Sequence, residues 1–88
     1  MASMTYEISA TSRFKRDLDS FDETFKTSIK KELEILKANP YSGKRLHGNL
    51  KGFLSLRIGK YRAVYSVDDN SRKVILYFFG HRKGIYDK

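Results

Sequence analysis

The spacing of the apolar residues changes near Pro40, and this change constrains the fold more than any other feature of the 88-residue sequence. Before it, four apolar residues recur at spacings of four, four and three, which marks one face of an α-helix. They are Phe25, Ile29, Leu33 and Leu36. After it, apolar and polar residues alternate, as on a β-strand with one covered face. Because so short a chain cannot build two hydrophobic cores, we predict a single α+β domain.

The first half predicts a strand followed by two helices. Residues 5–9 alternate in polarity, which is typical of a short strand. Either Thr11 or Ser12 can cap a first helix. Ser20 and Glu23 then fit a capping box that begins a second helix. Asn39-Pro40 ends it, because the residue before a proline is pushed out of helical geometry. We expect the two helices to form an antiparallel hairpin.

The second half predicts an antiparallel β-meander. Its strands are expected at 54–58, 61–67 and 74–79, separated by turn residues. The last run is apolar throughout, which indicates a strand covered on both faces. The expected fold is therefore an N-terminal strand and helix hairpin packed on the meander. Residues 4–88 form this domain, and residues 1–3 are expected to be an addition ahead of a natural start at Met4.

The basic residues are distributed unevenly. The chain has 18 Lys and Arg against 10 Asp and Glu, a net charge of +8, and seven of the acids precede residue 35. From Ile35 to Val67 there is no acid. This stretch predicts a positive face whose natural ligands are polyanions. A solvated basic surface that only keeps the protein soluble is the alternative. The basic residues of the stretch are Lys37, Lys44, Arg45, Lys51, Arg57, Lys60 and Arg62.

Composition also limits the kind of site. The chain has no cysteine, so neither disulfides nor thiolate metal sites are available, which suits a reducing cytoplasm. No apolar run approaches the roughly 18 residues of a membrane helix, and no signal-peptide pattern is present. We therefore expect a cytoplasmic protein without a membrane partner. Asp68 and Asp69 are the only adjacent acids of the second half, and we expect no metal site at their predicted turn.

Two sets of residues could cleave RNA without a metal. His47 and His81 could act as acid and base if the fold joins a loop to a strand end. Arg62, Arg82 and Tyr86 form the second set. Guanidinium groups bind phosphate oxygens and stabilise the phosphorane, while a phenolate among cations can accept the 2′-hydroxyl proton. Without such a site, an arginine would be an ion-pair partner and a tyrosine a packing residue. Bases could stack on Tyr61, Tyr65 or Tyr77, which can equally be core residues.

Three local patterns carry a resemblance to a known family. They are Asn39-Pro40 through Gly48, Leu56 through Tyr65 (LRIGKYRAVY) and Gly80 through Tyr86 (GHRKGIY). With the predicted order of strand, two helices and meander, they resemble the RelE/ParE toxin superfamily over essentially the whole chain. The closest similarity is to RelE-type mRNA interferase toxins, which implies a microbial-ribonuclease-like fold.

The resemblance implies the toxin of a type II toxin–antitoxin system. RelE-type members cleave mRNA in the ribosomal A site by 2′-hydroxyl attack, with no metal or cofactor, and inhibit translation. Arg62 resembles the strand arginine at the scissile phosphate, and Arg82 the arginine that stabilises the transition state. Tyr86 resembles the tyrosine proposed as general base. The implied partners are the ribosome, mRNA and an acidic RelB-like antitoxin, with which the toxin can form a heterotetramer.

The other cations are expected to hold RNA phosphates. RelE-type toxins carry lysines on the strand before the Leu-Arg pair, where this chain has Phe53, Leu54 and Ser55. We expect a neighbouring loop to supply that charge from Lys44, Arg45 or Lys51. The predicted RNA-binding residues are Lys44, Arg45, Lys51, Arg57, Lys60 and His81.

Two other functions stay open. One is a ParE-like inhibitor of DNA gyrase, which has no need for Arg82 and Tyr86 together. The other is a non-catalytic RNA-binding module, which the basic stretch alone would suit equally well.

Overall fold

The computed structural model describes residues 5–81. The described residues form three helices, five strands and two short 3₁₀ turns, where the sequence predicted two helices and four strands. In chain order they are β1 (Glu7–Ala10), α1 (Ser12–Asp19), α2 (Glu23–Leu33), α3 (Ile35–Ala38), the first 3₁₀ turn (Pro40–Ser42), β2 (Lys44–Arg45), the second 3₁₀ turn (Gly48–Leu50), β3 (Leu54–Ile58), β4 (Tyr61–Asp68) and β5 (Lys73–His81).

The strands form one sheet in the order β1-β5-β4-β3-β2. Strands β3, β4 and β5 are an antiparallel meander, so the α+β prediction is confirmed. Strand β1 pairs with β5 in parallel and forms one edge of the sheet. Strand β2 forms the other edge, antiparallel to β3. The two residues of β2 are both charged and show no alternation, so the sequence predicts a loop at this position.

The core lies between the helices and one face of the sheet. Its helical residues share a face on each helix. Its strand residues alternate, except on β5, where a bulge opposite Val64 and Tyr65 separates Leu76 from Phe79 by three positions. The buried members are Phe14, Leu18, Ile29, Leu33, Leu36, Leu54, Ala63, Tyr65, Val74, Leu76 and Phe79. The opposite face of the sheet, called here the outer face, carries the residues between them. On β5, the residues of the outer face are Ile75, Tyr77 and Phe78, and each is half-buried. The strand is therefore only partly covered on this face, whereas the sequence predicted cover on both faces.

The helix ends are set by polar side chains. The Thr11 hydroxyl accepts a hydrogen bond from the Phe14 amide at 3.1 Å and caps α1, as predicted. The capping box at Ser20 is wrong. Asp22 caps α2, because its carboxylate accepts from the Phe25 amide at 2.9 Å and also complements the positive end of the helix dipole. Ser20 instead ends α1.

The second predicted helix is interrupted once. It ends ahead of Pro40 as predicted, but it is divided into α2 and α3 at Glu34.

Helix α1 also closes the edge of β5 beyond the end of β1. The Thr11 hydroxyl donates to the Tyr77 carbonyl at 2.9 Å. The Phe79 amide donates to the Asp17 carboxylate at 3.0 Å. These bonds replace the missing strand partner, because a backbone group left unpaired at a partly buried edge is costly. They fix the end of β5 that leads into residue 82.

The Tyr65 hydroxyl holds the loop that precedes β2. Tyr65 is fully buried, donates to the Pro40 carbonyl at 2.7 Å and accepts from the Gly43 amide at 3.0 Å. Burial raises the pKa of Tyr65, which keeps the phenol neutral and able to donate. A Cβ on Gly43 would lie 2.6 Å from the Tyr65 oxygen and 2.7 Å from the Ser55 carbonyl oxygen. Only glycine therefore fits where β2 begins.

We expect Tyr65→Phe to lower the free energy of unfolding by about 1–3 kcal/mol, because two buried backbone groups lose their partner. Chemical denaturation followed by circular dichroism measures this. Tyr41→Phe is the matched control, since Tyr41 donates to Asp69 at the surface and is 44% exposed. A loss no larger than that of the control would show that the hydroxyl does not hold the loop.

Candidate functional site

The strand register gathers basic residues on the outer face. Arg57 of β3 lies directly opposite Arg62 of β4, and Lys44 of β2 lies directly opposite Ser55 of β3. Residues that face each other in an antiparallel pair project to the same side of the sheet. Opposite Arg62 on β5 is Gly80, which has no side chain. The three cations therefore share one patch of the sheet, beside a position that leaves room for a ligand.

Ser55 lies between these cations. Its hydroxyl accepts a hydrogen bond from Nη1 of Arg62 at 3.1 Å. Ser55 is buried, with 2% of its surface exposed, whereas Arg62 is half-buried and Arg57 is exposed. The sequence analysis did not predict a role for Ser55. In the sequence, Ser55 is a polar residue within an apolar strand. Its hydrogen-bond partner on the next strand, Arg62, could be identified only from the strand register.

A shallow cleft opens beside these side chains. Its volume is about 320 Å³. We call it the basic cleft, and it is lined by Ser42, Gly43, Lys44, Ser55, Leu56, Arg57 and Arg62. Three of the seven residues are cationic and none is acidic, so the cleft is suited to a phosphate or another anion.

The other predicted RNA-binding residues lie elsewhere. Arg45 lies opposite Leu54, a core residue, and its guanidinium carbon is 5.9 Å from the centre of the Tyr41 ring. Lys51 follows the second 3₁₀ turn, and Lys60 lies in the turn between β3 and β4. His81 ends β5.

His81 lies on the helix side of the sheet. It is opposite Tyr61, which packs against the core, and their ring centres are 5.7 Å apart. Lys37 forms an ion pair with Glu34 at 3.1 Å on the helical layer. Of the predicted cations, the structure therefore brings together Lys44, Arg57 and Arg62.

Two of the three predicted catalytic residues, Arg82 and Tyr86, lie outside residues 5–81. Arg62 is described and lines the basic cleft.

The alternative histidine pair is not brought together. His47 follows β2, which pairs with the Leu54 end of β3, whereas His81 lies opposite Tyr61 at the other end of the meander. The two histidines are separated by three strand spacings and about five residues along the strands, roughly 20 Å. A separation of this size prevents joint acid–base catalysis.

The adjacent acids have other partners. Asp68 accepts the amides of Asn70 and Ser71 and so shapes the turn between β4 and β5. Asp69 accepts the hydroxyls of Tyr6 at 2.6 Å and Tyr41 at 2.7 Å. These two bonds lower the pKa of Asp69. Within residues 5–81, no group of three or more His, Cys, Asp or Glu side chains could hold a metal ion.

The three candidate stacking tyrosines have packing roles. Tyr65 is in the core, and Tyr61 stacks with Phe79 at a centre-to-centre distance of 5.5 Å. Tyr77 meets Phe53 edge to face at 5.1 Å on the outer face. Each ring is thus engaged by another part of the protein.

Comparison with known proteins identifies the family. The model of the ParE toxin of type II toxin–antitoxin systems matches residues 8–86. The toxin RelE of Mycobacterium tuberculosis is 31% identical over 83 residues, which cover 92% of this chain and 86% of that protein. The chain belongs to the RelE/ParE toxin superfamily. It is the toxin of a type II toxin–antitoxin system, as the three sequence patterns indicated.

Solved structures agree with this RelE/ParE assignment. A chain of the RelBE2 toxin–antitoxin complex from Mycobacterium tuberculosis matches with a TM-score of 0.79 and 30% identity, covering 89% of this chain and 99% of that one. The archaeal RelE–RelB complex from Pyrococcus horikoshii matches with a TM-score of 0.75 and 21% identity, over 93% and 99% of the two chains, and shows the same fold. No helix of this RelE/ParE toxin within residues 5–81 has the length and hydrophobicity needed to cross a membrane.

The opposed arginines of this RelE/ParE toxin give a test of the register. Like charges directly opposite in a strand pair are destabilising, so Arg57→Gln is expected to raise the free energy of unfolding by roughly 0.2–1 kcal/mol at low salt. Lys60→Gln is the control, because it removes the same charge from an exposed turn. The gain should shrink in about 1 M salt, where the Debye length is about 3 Å. Equal effects of the two substitutions in denaturant titrations would contradict the repulsion.

Proposed function

We propose that this toxin is a ribosome-dependent endoribonuclease that cleaves mRNA in the A site and so inhibits translation. The observation that carries the proposal is the direct opposition of Arg57 and Arg62 in a cleft that also contains Lys44. Holding like charges together lowers stability, and a bound polyanion offsets the repulsion. RNA supplies such a polyanion, and the relative from Mycobacterium tuberculosis, 31% identical, is a toxin RelE.

The proposed chemistry uses the nucleophile that RNA carries. The 2′-oxygen attacks phosphorus and the bond to the 5′-oxygen breaks, which leaves a cyclic phosphate. The departing 5′-oxygen takes up a proton from water and becomes a 5′-hydroxyl. Arg62 contacts the scissile phosphate, because a guanidinium stays charged and can bind two oxygens at once. Arg82 stabilises the added charge of the phosphorane. Tyr86 accepts the proton of the 2′-hydroxyl.

Chain connectivity supports the inclusion of Arg82 and Tyr86. Gly80 lies opposite Arg62, and β5 ends one residue later at His81. Arg82 follows His81 directly in the sequence, two residues after Gly80. A guanidinium and a phenol that follow this strand end in the sequence are therefore proposed to act on the same phosphate as Arg62.

The remaining cations are proposed to hold RNA. Lys44 is the best placed to supply the charge that RelE-type toxins carry on the strand before Leu56-Arg57, because it lies opposite Ser55 and lines the basic cleft. Arg45 and Lys51 lie away from that cleft. With Lys60 and His81, they are proposed to contact phosphates outside it.

The proposed partner in the resting state is an acidic RelB-like antitoxin. The solved relatives from Mycobacterium tuberculosis and Pyrococcus horikoshii are complexes of RelE with RelB type partners. A net charge of +8 favours an acidic partner. We propose that the two chains assemble as a heterotetramer, and that the toxin acts in the cytoplasm, where its ribosomal target lies.

A second candidate is inhibition of DNA gyrase. The family model that matches residues 8–86 is named for ParE, which favours this reading. The presence of both Arg82 and Tyr86 favours RNA cleavage instead.

The decisive experiment adds the toxin to a translation extract with a defined mRNA and maps new 5′ ends by primer extension. New ends are expected only when ribosomes are present. Binding without new ends at any toxin concentration would contradict cleavage and leave an RNA-binding module. A supercoiling assay with purified gyrase, run in parallel, separates the ParE-like function.

Two substitutions then test the assigned roles. Arg82→Ala and Tyr86→Phe should each reduce cleavage by about a hundredfold or more, while ribosome binding is retained, because each removes an interaction used in the transition state. Arg16→Ala, an exposed position on α1, and Tyr41→Phe are the matched controls. Normal cleavage by both site variants would show that the site is assigned wrongly, even for a cleaving toxin.

A further inference from the structure

Ser55 is the buried polar residue of the basic cleft. Its side chain is on the outer face, where Lys44 lies opposite it and the Arg62 guanidinium donates to it. A buried serine could simply fill space beneath β2. The bond to Arg62 is a separate feature, because it determines where a functional cation points.

The bond to Ser55 holds one end of the Arg62 side chain. In the sheet, Arg62 lies directly opposite Arg57, and Ser55 is its diagonal neighbour, two residues along β3. A diagonal neighbour lies about 7–8 Å away, within reach of a long side chain. Nη1 of Arg62 bonds to Ser55. The guanidinium is therefore drawn along β3 toward β2 and Lys44, and away from the like charge of Arg57.

A hydroxyl is chemically well suited to this task. A carboxylate at position 55 would also orient the arginine, but it would neutralise the charge that a phosphate needs. A neutral acceptor orients the guanidinium without neutralising its positive charge. Ordering the arginine before RNA arrives removes part of the entropy cost of reaching the transition state.

We infer that Ser55 is a positioning residue that aims Arg62 at the phosphate of the RNA. This inference rests on the proposed cleavage function. Ser55 does not touch the reacting atoms in this scheme. It acts through the Arg62 guanidinium. Removal of the Ser55 hydroxyl is therefore expected to lower the rate of the chemical step without weakening ribosome binding.

The test compares Ser55→Thr with Ser55→Val. The two side chains have nearly the same shape and both suit a strand, but only threonine keeps the hydroxyl. Any packing effect of the added methyl group is therefore shared. In single-turnover cleavage at saturating ribosome concentration, Ser55→Val should be slower than Ser55→Thr by about tenfold to a hundredfold. The ribosome concentration that gives half-maximal rate should be the same for both.

A second readout does not depend on cleavage. The side-chain Nε–H signal of Arg62 in a ¹⁵N-labelled protein, assigned with Arg62→Lys, reports the order of the guanidinium. The signal should be similar in wild type and Ser55→Thr, and shifted toward the averaged position of a mobile arginine in Ser55→Val. Inorganic phosphate, as the probe, should shift it at lower concentration in Ser55→Thr than in Ser55→Val.

The outcomes separate the two proposals. A toxin that cleaves nothing, in wild type or variant, contradicts the proposed function, and the Arg62 signal alone then decides the positioning role. Equal signals and equal cleavage in Ser55→Thr and Ser55→Val would overturn that role. If neither variant folds by thermal denaturation, Ser55→Ala replaces Ser55→Val and wild type replaces Ser55→Thr, with the same expected difference.

Discussion

Strand β4 is hydrogen-bonded on both sides, to β3 and to β5, and its register governs both the core and the site. Because successive residues of a strand point to opposite faces, Tyr61, Ala63 and Tyr65 pack toward the helices while Arg62 projects to the outer face. A shift of the register by one residue would exchange these sets and place a guanidinium in the core. The burial that stabilises the domain therefore also fixes the position of its cations.

The opposition of Arg57 and Arg62 on adjacent strands lowers the stability of the fold that carries the basic cleft. The opposed arginines repel each other, and among the residues that line the cleft there is no acid to compensate. Asp69 is ionised, but it accepts hydroxyls from Tyr6 and Tyr41. Cations that lie close together in a ligand site lower the free energy of unfolding, as is usual for functional sites. In the proposed complex, an acidic antitoxin that covers the cleft relieves this repulsion.

The sequence predicted the elements whose apolar residues are clearly periodic. It did not predict the features that depend on a single side-chain contact. The alternation at 54–58 and 61–67 predicted the meander, and Asn39-Pro40 predicted the end of the helices. The start of α2 was wrong, because Ser20 and Asp22 are both good caps and the choice depends on where α1 ends. Strand β2 and the parallel pairing of β1 with β5 could not be predicted, since neither short segment has a residue pattern that identifies the strand it pairs with. Arg82 and Tyr86 stay predictions.

The least predictable residues are the ones that join the fold to the proposed chemistry. Two hydroxyls, those of Tyr65 and Ser55, act across strands: one holds the chain at Gly43, where β2 begins, and the other holds Arg62. If the loop at Gly43 moved, Lys44 would leave its position opposite Ser55, and the cleft would lose both a wall and a charge. A sequence pattern can identify cations that are candidates for binding phosphate. Their mutual arrangement depends on neutral groups that appear, in the sequence, to be ordinary strand residues.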